Sequence, residues 1–587
     1  MSASQVAEHS APYELQGAAD AVLGQAFDLL ATAPQGVAKL RELILSLAVQ
    51  GKLVPQDPSD EPASVLLRMI RAEKTRLATD RRVKQDKLLA AIDEEQLPFK
   101  VPLGWEWVTF GAIAEIERGG SPRPIQSFLT NDPNGLNWIK IGDTDKGGKY
   151  ITTTTEKIRR EGLCKTRMVF PGDFLLTNSM SFGRPYITQI EGCIHDGWLR
   201  ISPPSSLNKD YLFSLLSSQF IRRLFVAAAA GGVVLNLNAD KVRNVPIPLP
   251  PLAEQARIVA RVEELMQLCD ALEAHGRLQD EQHARLVATV FDALAASESA
   301  HAMAENWQRI AAHFDLLLDR PEAVDVLEQT ILQLAVRGLL VPQDPVDEPS
   351  IELLSRIRAE KTGAGHASES KREQSQGQNT IDASFFEAPN GWLWGTFDQT
   401  WDSSFYGPRF AAGDYVATGG TPTIRTTDMS NGRITLKNAP CVSVPEAKRK
   451  LYLVRQGDLL VTRSGSIGVM ALFDLGVDAI PSAYLIRLRF NGAVAPEFAH
   501  LFLISPMGSE LLGLSTTSVG VPNVSASKMA KFPMPLPPLA EQRRIVARVE
   551  QLRRLCTDLR ERLQQARATQ SQLADALVSA SAQSPSC

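Results

Sequence analysis

The chain has 587 residues, 44% hydrophobic and 22% charged, with a formal net charge of −4. That length suffices for three or four domains, the charge argues against a uniformly basic nucleic-acid binder, and no apolar run approaches the roughly 18 residues of a membrane span. Six cysteines stand singly, with no C-x-x-C pair to suggest zinc, and the N-terminus MSASQVAEHSAPYEL has no basic-then-apolar leader, so no signal peptide is expected and the pattern fits reduced thiols in a cytoplasm.

In chain order, residues 15–50 read as an amphipathic helical arm with Leu43 and Leu47 on its apolar face. GKLVPQDPSDEP then breaks the helix with Gly and Pro. Residues 75–96 are charged and helical in pattern. PLGWEW, from Pro102, opens a block in which short β-type runs (WEWVTFGAIAEI, KYITTTT, DFLLTN, GWLRISP) alternate with Gly, Pro and Asn turns, and one helix covers DYLFSLLSSQFIRRLF. The block closes on PLPPLAEQ at 248–255. Its prolines can neither continue a ladder nor sit inside a helix, so they mark a strand-to-helix junction. Glu254 falls in the first turn, where negative charge suits the helix dipole. The helix, expected from Ala253 to about Ala295, carries Ile258, Val262, Leu265, Cys269 and Leu272 at heptad spacing.

The whole arrangement then returns. LRELILSLAVQGKLVPQDPSDEPASVLLRMIRAEK from Leu40 and LEQTILQLAVRGLLVPQDPVDEPSIELLSRIRAEK from Leu327 are 287 residues apart. PLGWEW and PNGWLW, and the two copies of PLPPLAEQ, share that offset. The second arm covers 305–338, with Leu332 and Leu334 apolar, and residues 363–380 read as a polar linker. In the second block, NWIKIGDTDKGGKYI parallels PTIRTTDMSNGRI, and PGDFLLTNSMSFGRP parallels QGDLLVTRSGSIGVM, both offset by 285. Two residues are therefore lost early and regained later. LLVTRSGSIGVMALF and AYLIRLRF read as strands, PEFAHLFLISPMGSELL as one helix, and Ile545, Val549, Leu552, Cys556 and Leu559 repeat the seam. The fold class is α+β: a duplicated chain with two β-rich globules separated by long coiled-coil-like helices. The divisions are a helical region (1–100), a first globule (101–251), a central helical spacer (252–388), a second globule (389–538) and a C-terminal helix (539–587).

Charge follows the same plan. Residues 102–250 sum to +4, residues 389–537 to +3, and the remainder to −11. Two mildly basic blocks sit in an acidic helical frame, and the blocks are the anion-binding parts. Enzymatic signatures are missing. GDTDKGGKY lacks the Ser or Thr and the spacing of a phosphate-binding loop, and RGGSPRP cannot open a helix as a dinucleotide loop does. No N-P-P-[YF] or D-P-P-[YF] segment and no nuclease cluster is present. His195 and the other histidines are isolated and read as packing or surface residues. RAEKT, in both copies, reads as solvated helix charge. Neither catalytic residues nor a metal site are expected.

PLPPLAEQ followed by IVARVE, given twice, together with the GWEW/GWLW openings and the GD-x-LL-T segments, resembles the specificity subunit of type I restriction-modification enzymes. The repeated LAVQGKLVPQDPSDEPAS segment resembles a subset of that family with an extra N-terminal helical region. The resemblance covers nearly the whole chain. It implies two target recognition domains, each reading one half of a split double-stranded DNA site. It also implies antiparallel helices that hold the domains apart and dock two methyltransferase subunits. Those partners would bind S-adenosylmethionine and methylate adenine, and restriction/translocase subunits would bring ATP and Mg. The chain itself would supply recognition, with no cofactor and no membrane.

Candidate DNA-contacting residues cluster in Gly-rich, turn-like stretches: Arg118, Arg123, Lys140, Thr177, Asn178, Ser179 and Arg184 in the first block, and Arg409, Arg425, Arg463, Ser464 and Ser466 in the second. Asn236 and Asn523 lie in a second repeated loop. Arg and Asn can read G and A edges bidentately, although phosphate contacts outnumber base contacts at such interfaces. The two seams are candidate docking faces. Trp105, Trp107, Trp392 and Trp394 are expected in the core. The rival reading is a duplicated scaffold binding protein or glycan partners, and salt-dependent DNA retention separates the two.

Overall fold

A computed structural model describes residues 24, 27, 29–81, 92, 97–145, 147–178, 182–229, 237–363, 385–463, 468–514 and 523–583. The polar stretch 364–380 and candidates Ser179, Asn236, Ser464 and Ser466 lie outside the described residues. The chain divides into two compact units, Met1–Leu278 with Ala566–Cys587, and Gln279–Gln565.

The first unit begins with α1 (Gly36–Val49) and α2 (Ala63–Arg81). The strands are β1 (Glu106–Thr109), β2 (Glu115–Arg118), β3 (Leu129–Thr130), β4 (Leu136–Ile139), β5 (Tyr150–Ile151), β6 (Glu156–Ile158), β7 (Arg167–Val169), β8 (Phe174–Thr177), β9 (Pro185–Thr188), β10 (Gly192–Ile194), β11 (Trp198–Ser202) and β12 (Pro246–Leu249). They form sheets ordered β2-β11-β8-β9-β5 and β3-β6-β4-β10-β7, and a ribbon of β1 with β12. The ribbon sets Trp107 opposite Pro248. Strand β12 pairs on one side only, which is why PIPL can be a strand at all. Helices α3 (Lys209–Ser217) and α4 (Gln219–Ala229) precede β12, and α5 (Leu252–Ala295) follows it.

The second unit repeats this with α6 (Ala300–Ala311), α7 (Pro321–Val336), α8 (Ser350–Gly363) and strands β13 (Leu393–Thr396), β14 (Trp401–Tyr406), β15 (Tyr415–Val416), β16 (Thr421–Ile424), β17 (Met429–Ser430), β18 (Arg433–Ile434), β19 (Cys441–Val442), β20 (Leu459–Thr462), β21 (Met470–Leu472), β22 (Ile480–Pro481), β23 (Leu485–Phe490) and β24 (Pro533–Leu536). The sheet orders are β14-β23-β20-β21 and β15-β19-β16-β22, with ribbons β13-β24 and β17-β18. Helices α9 (Pro496–Ile504) and α10 (Pro506–Leu514) lead to β24, and α11 (Leu539–Gln583) ends the chain. The GDFLLT and GDLLVT segments become β8 and β20, each strand buried at all four positions between two neighbours. That accounts for their continuous apolar character.

Three kinds of element depart from the sequence reading: the helix of each block, the second arm and the seams. The single helix expected over DYLFSLLSSQFIRRLF is two, α3 and α4, bent by 64°. Ser218 lies between them in extended conformation. Its hydroxyl donates to Leu215 O and accepts from the Ile221 amide. Ser505 does the same between α9 and α10, with Phe502 O and the Gly508 amide. Each serine caps a new helix where apolar periodicity alone predicts continuation. The arm at 305–338 is likewise divided, by residues 312–320, between α6 and α7.

The third departure concerns the seams. Ile258, Val262 and Cys269 are buried, with Leu265 and Leu272 packed beside them, in one core with Leu40, Leu43 and Leu47 of α1. Arg41 of α1 bridges Asp270 and Glu273 of α5. In the second unit Ile545, Val549, Cys556, Leu552 and Leu559 share a core with Leu327 and Ile331 of α7, while Arg553 and Arg560 of α11 bridge Glu328. The seams expected to be docking faces are thus covered by the chain's own helical arms. A heptad pattern reports that a helix is covered, not by what.

Burial holds the Cys556 thiol at a pKa of about 11, and burial likewise raises that of Cys269. An alkylating agent at neutral pH should therefore modify exposed Cys164 before Cys269 and Cys556. Mass-spectrometric mapping should find Cys269 and Cys556 protected until denaturant is added. Labelling of those two at the rate of Cys164 would mean that the seams are open.

Candidate nucleic-acid interface

Each block is held by the motif that follows it. The Trp105 indole donates to Glu254 Oε2 at 2.8 Å, and the Gln56 amide to Glu254 Oε1 at 2.8 Å. Trp392 repeats the bond to Glu541 at 2.9 Å. Both carboxylates are buried, and loss of solvent raises their pKa values despite the indole bonds. The neighbouring Gln255 accepts from the Asn208 amide and donates to Pro250 O. Gln542 accepts from the Ala495 amide and donates to Ala493 O and Pro537 O. Arg257–Asp60 and Arg544–Asp347 ion pairs, 2.6 and 2.7 Å, fasten the VPQDP turns to the same helices. Sequence reasoning left Gln56, Asp60 and Asp347 without a role. Their recurrence at the 287-residue offset was the available signal. Trp105 and Trp392 are core residues, Trp107 packs on Phe99 and Phe220, and Trp394 on Phe386. RAEKT is not merely solvated: Lys74 donates to Gly111 O, and Glu73 accepts from Ser205 and Ser206, tying α2 to the block.

Upon this frame the candidates fall into three groups. The first is structural. Thr177 and Asn178, expected at a DNA surface, are 0% and 2% exposed. The Thr177 hydroxyl accepts from the Arg184 amide, and the Asn178 side-chain amide donates to Asp196 O at 2.7 Å. Strand β8 ends inside the domain, not at its surface, so neither side chain is a contact. Arg425 is also largely bound within its own turn. Its guanidinium makes two hydrogen bonds to Asp428, 2.9 and 2.7 Å, and a third to Asn438 O. The bidentate partner expected to be a base edge is a carboxylate three residues away.

The second group lines one cleft. Arg123, Lys140, Trp138, Glu156 and His195 border an open cavity of about 850 Å³ in the first block. Lys140 Nζ pairs with Glu156 at 2.7 Å. Arg123 is 82% exposed at its side chain and reaches Asp196 at 3.5 Å. The Ser121 hydroxyl is the main group holding the Asp196 carboxyl below its usual range. His195 is a packing residue: its ring lies 6.3 Å from both Trp138 and Trp198, it accepts from the Ile141 amide, and burial lowers its pKa. Arg118 donates to Asp196 O at 3.3 Å.

The third group is exposed and cationic or polar. Arg184 shares a shallow depression with Arg222, a residue the sequence did not single out. Arg409 and Asn523 are exposed in the second block. Arg463 is half-buried, its guanidinium 5.0 Å from the Tyr406 ring centroid. These residues border loops that differ between the blocks, whereas the frame residues coincide. A positive surface of this kind attracts phosphate, and its planar guanidinium groups suit base edges.

The family described as "Type I restriction modification DNA specificity domain" matches residues 102–280 and 405–566. Over 579 residues the chain is 33% identical to the type I restriction enzyme EcoEI specificity subunit of Escherichia coli, covering 93% of this chain and 94% of that one. The EcoAI specificity subunit of the same organism is 32% identical over 571 residues, with the same coverage. A chain from a solved structure of a type I R-M system is 19% identical, covers 83% of this chain and 99% of its own length, and superimposes with a TM-score of 0.48.

The buried Trp–Glu bond can be broken one unit at a time. Trp105→Phe keeps the ring packing but deprives a buried carboxylate of its indole donor, costing about 1–3 kcal/mol. Amide exchange should accelerate in β1 and β12 while β13 and β24 keep their protection. Equal loss of protection in both ribbons, or in neither, would contradict the account of two separate clamps.

Proposed function

Because the chain belongs to the type I restriction-modification DNA specificity family, a recognition rather than a catalytic component, we propose that each block reads one half of a split double-stranded DNA target. The observation that carries this is the contrast between frame and loops. The Trp–Glu bond, the Gln clamp and the Arg–Asp pair recur at a constant 287-residue offset, while the loops they carry differ in length and charge. A frame kept constant with variable loops suits two readers with different sequence preferences on one kind of ligand.

The finer assignments rest on this reading. Exposed Arg123, Arg184, Arg222 and Arg409 face phosphates or bases, and phosphates account for most of the affinity and its salt dependence. Two methyltransferase subunits, bringing S-adenosylmethionine, modify adenines in the target. Restriction/translocase subunits bring ATP and Mg, and the chain binds no cofactor of its own. The complex works in the cytoplasm. Among the described residues no single helix is long and apolar enough to cross a membrane.

Strand-resolved methylome sequencing of cells with and without the gene tests the proposal. Deletion should remove adenine methylation at one bipartite motif, and the purified complex should bind that duplex with an affinity that falls steeply as salt rises. An unchanged methylome, together with salt-independent retention on DNA, would contradict it.

A further inference from the structure

The two blocks build one corner in opposite ways. At the end of β8 the Asn178 amide donates to Gly197 O, and its carbonyl accepts from the Leu237 amide. At the end of β20 the Arg463 amide donates to Tyr484 O, and its carbonyl accepts from the Val524 amide. Asn178 and Arg463 therefore hold the same backbone position. Gly183 and Gly468, both at positive φ, close the loop that each begins. Two strands along, across β11 and β23, Arg118 of β2 pairs with Leu199 in the first block and Tyr406 of β14 with Ile486 in the second. Leu199 and Ile486 are 287 residues apart, so Arg118 and Tyr406 are equivalent too.

The first block closes this corner. Asn178 and Arg118 both donate to the carbonyl of Asp196, and the Asp196 carboxylate holds Ser121 and Arg123. In the second block the residue in the Asp196 position is Ala483. No carboxylate draws the arginine inward. Among the described residues, the Arg463 guanidinium makes no hydrogen bond or ion pair, and it lies over the face of Tyr406. The Tyr406 hydroxyl accepts from the Ala526 amide at 2.9 Å, which fixes the ring. Tyr484, 63% exposed, completes the corner.

We infer that Arg463, steered by Tyr406, is a specificity-determining residue of the second block and reads a guanine in its half-site. A guanidinium on an aromatic face keeps its in-plane donors free and loses rotational freedom, which suits the paired O6 and N7 acceptors of guanine in the major groove. Tyr406 is a positioning residue. In the first block the equivalent residues, Asn178 and Arg118, are turned onto the Asp196 carbonyl, so that block reads from positions other than these two. This inference rests on the proposal that each block reads one half of the target.

The test selects bound sequences from a randomised duplex library with the full-length chain, co-expressed with its methyltransferase subunits. Wild type should enrich a bipartite motif with a guanine in the second half. Arg463→Ala should cut the preference for that guanine by at least about tenfold and leave the first half unchanged. Arg463→Lys keeps the charge but not the fork and should lose the preference while retaining overall binding. Tyr406→Phe keeps the aromatic face but not the hydroxyl's bond to the Ala526 amide and should keep most of the preference, whereas Tyr406→Ala should lose it. If Arg463→Ala instead lowers binding to all sequences alike and makes the salt dependence shallower by about one, Arg463 is a phosphate contact and the inference is overturned. It is equally overturned if Arg463→Ala leaves the second half unchanged. Failure of wild type to select any bipartite motif would sink the proposed function itself, a separate outcome.

Discussion

A buried carboxylate on the first turn of a long helix organises each half of this chain. Glu254 and Glu541 each accept an indole bond from the tryptophan immediately before the opening strand of the block, and the glutamine after each clamps the residue that leads into α3 or α9. Strand, helix and preceding turn are thereby fixed to one another at a single point. Burying a charge is costly unless donors meet it, so the repeated motif has to be kept as a unit: proline strand, Glu, Gln, and the tryptophan nearly 150 residues earlier in sequence. The loops between carry no such obligation and are free to diverge.

The helical arms show how a duplicated chain avoids pairing its halves wrongly. Arg41 of α1 meets Glu273 of α5, and at the equivalent positions Glu328 of α7 meets Arg560 of α11. The sign of the pair is reversed between units. Exchanging the arms would set Arg41 against Arg560 and Glu328 against Glu273, two like-charge contacts. Exposed ion pairs contribute little stability, but a reversed pair between near-identical seams discriminates by repulsion.

The frame was legible because it recurs: the offset between the two PLPPLAEQ copies marks both strand-to-helix junctions, β12 to α5 and β24 to α11. What was not legible depends on who neighbours whom. Ser218 and Ser505 interrupt helices within unbroken apolar patterns. Thr177 and Asn178 sit in a turn-like sequence yet end a strand inside a sheet. The equivalence of Arg118 and Tyr406 is shifted by one residue from the frame offset, and β14 has a register irregularity between Trp401 and Ser403 that accounts for it. Arg425 could have been read correctly from R-T-T-D alone, since an acid three residues on is within reach of a turn.

The central claim is that recognition resides in two separable blocks on a common frame. The most direct measurement replaces residues 389–536 with a copy of residues 102–249, joined within the repeated motifs, and maps adenine methylation strand by strand. The account predicts that the second half-site then spells the sequence read by the first block while the first half-site is unchanged. A second half-site that kept its original sequence would contradict the account and place recognition outside the blocks.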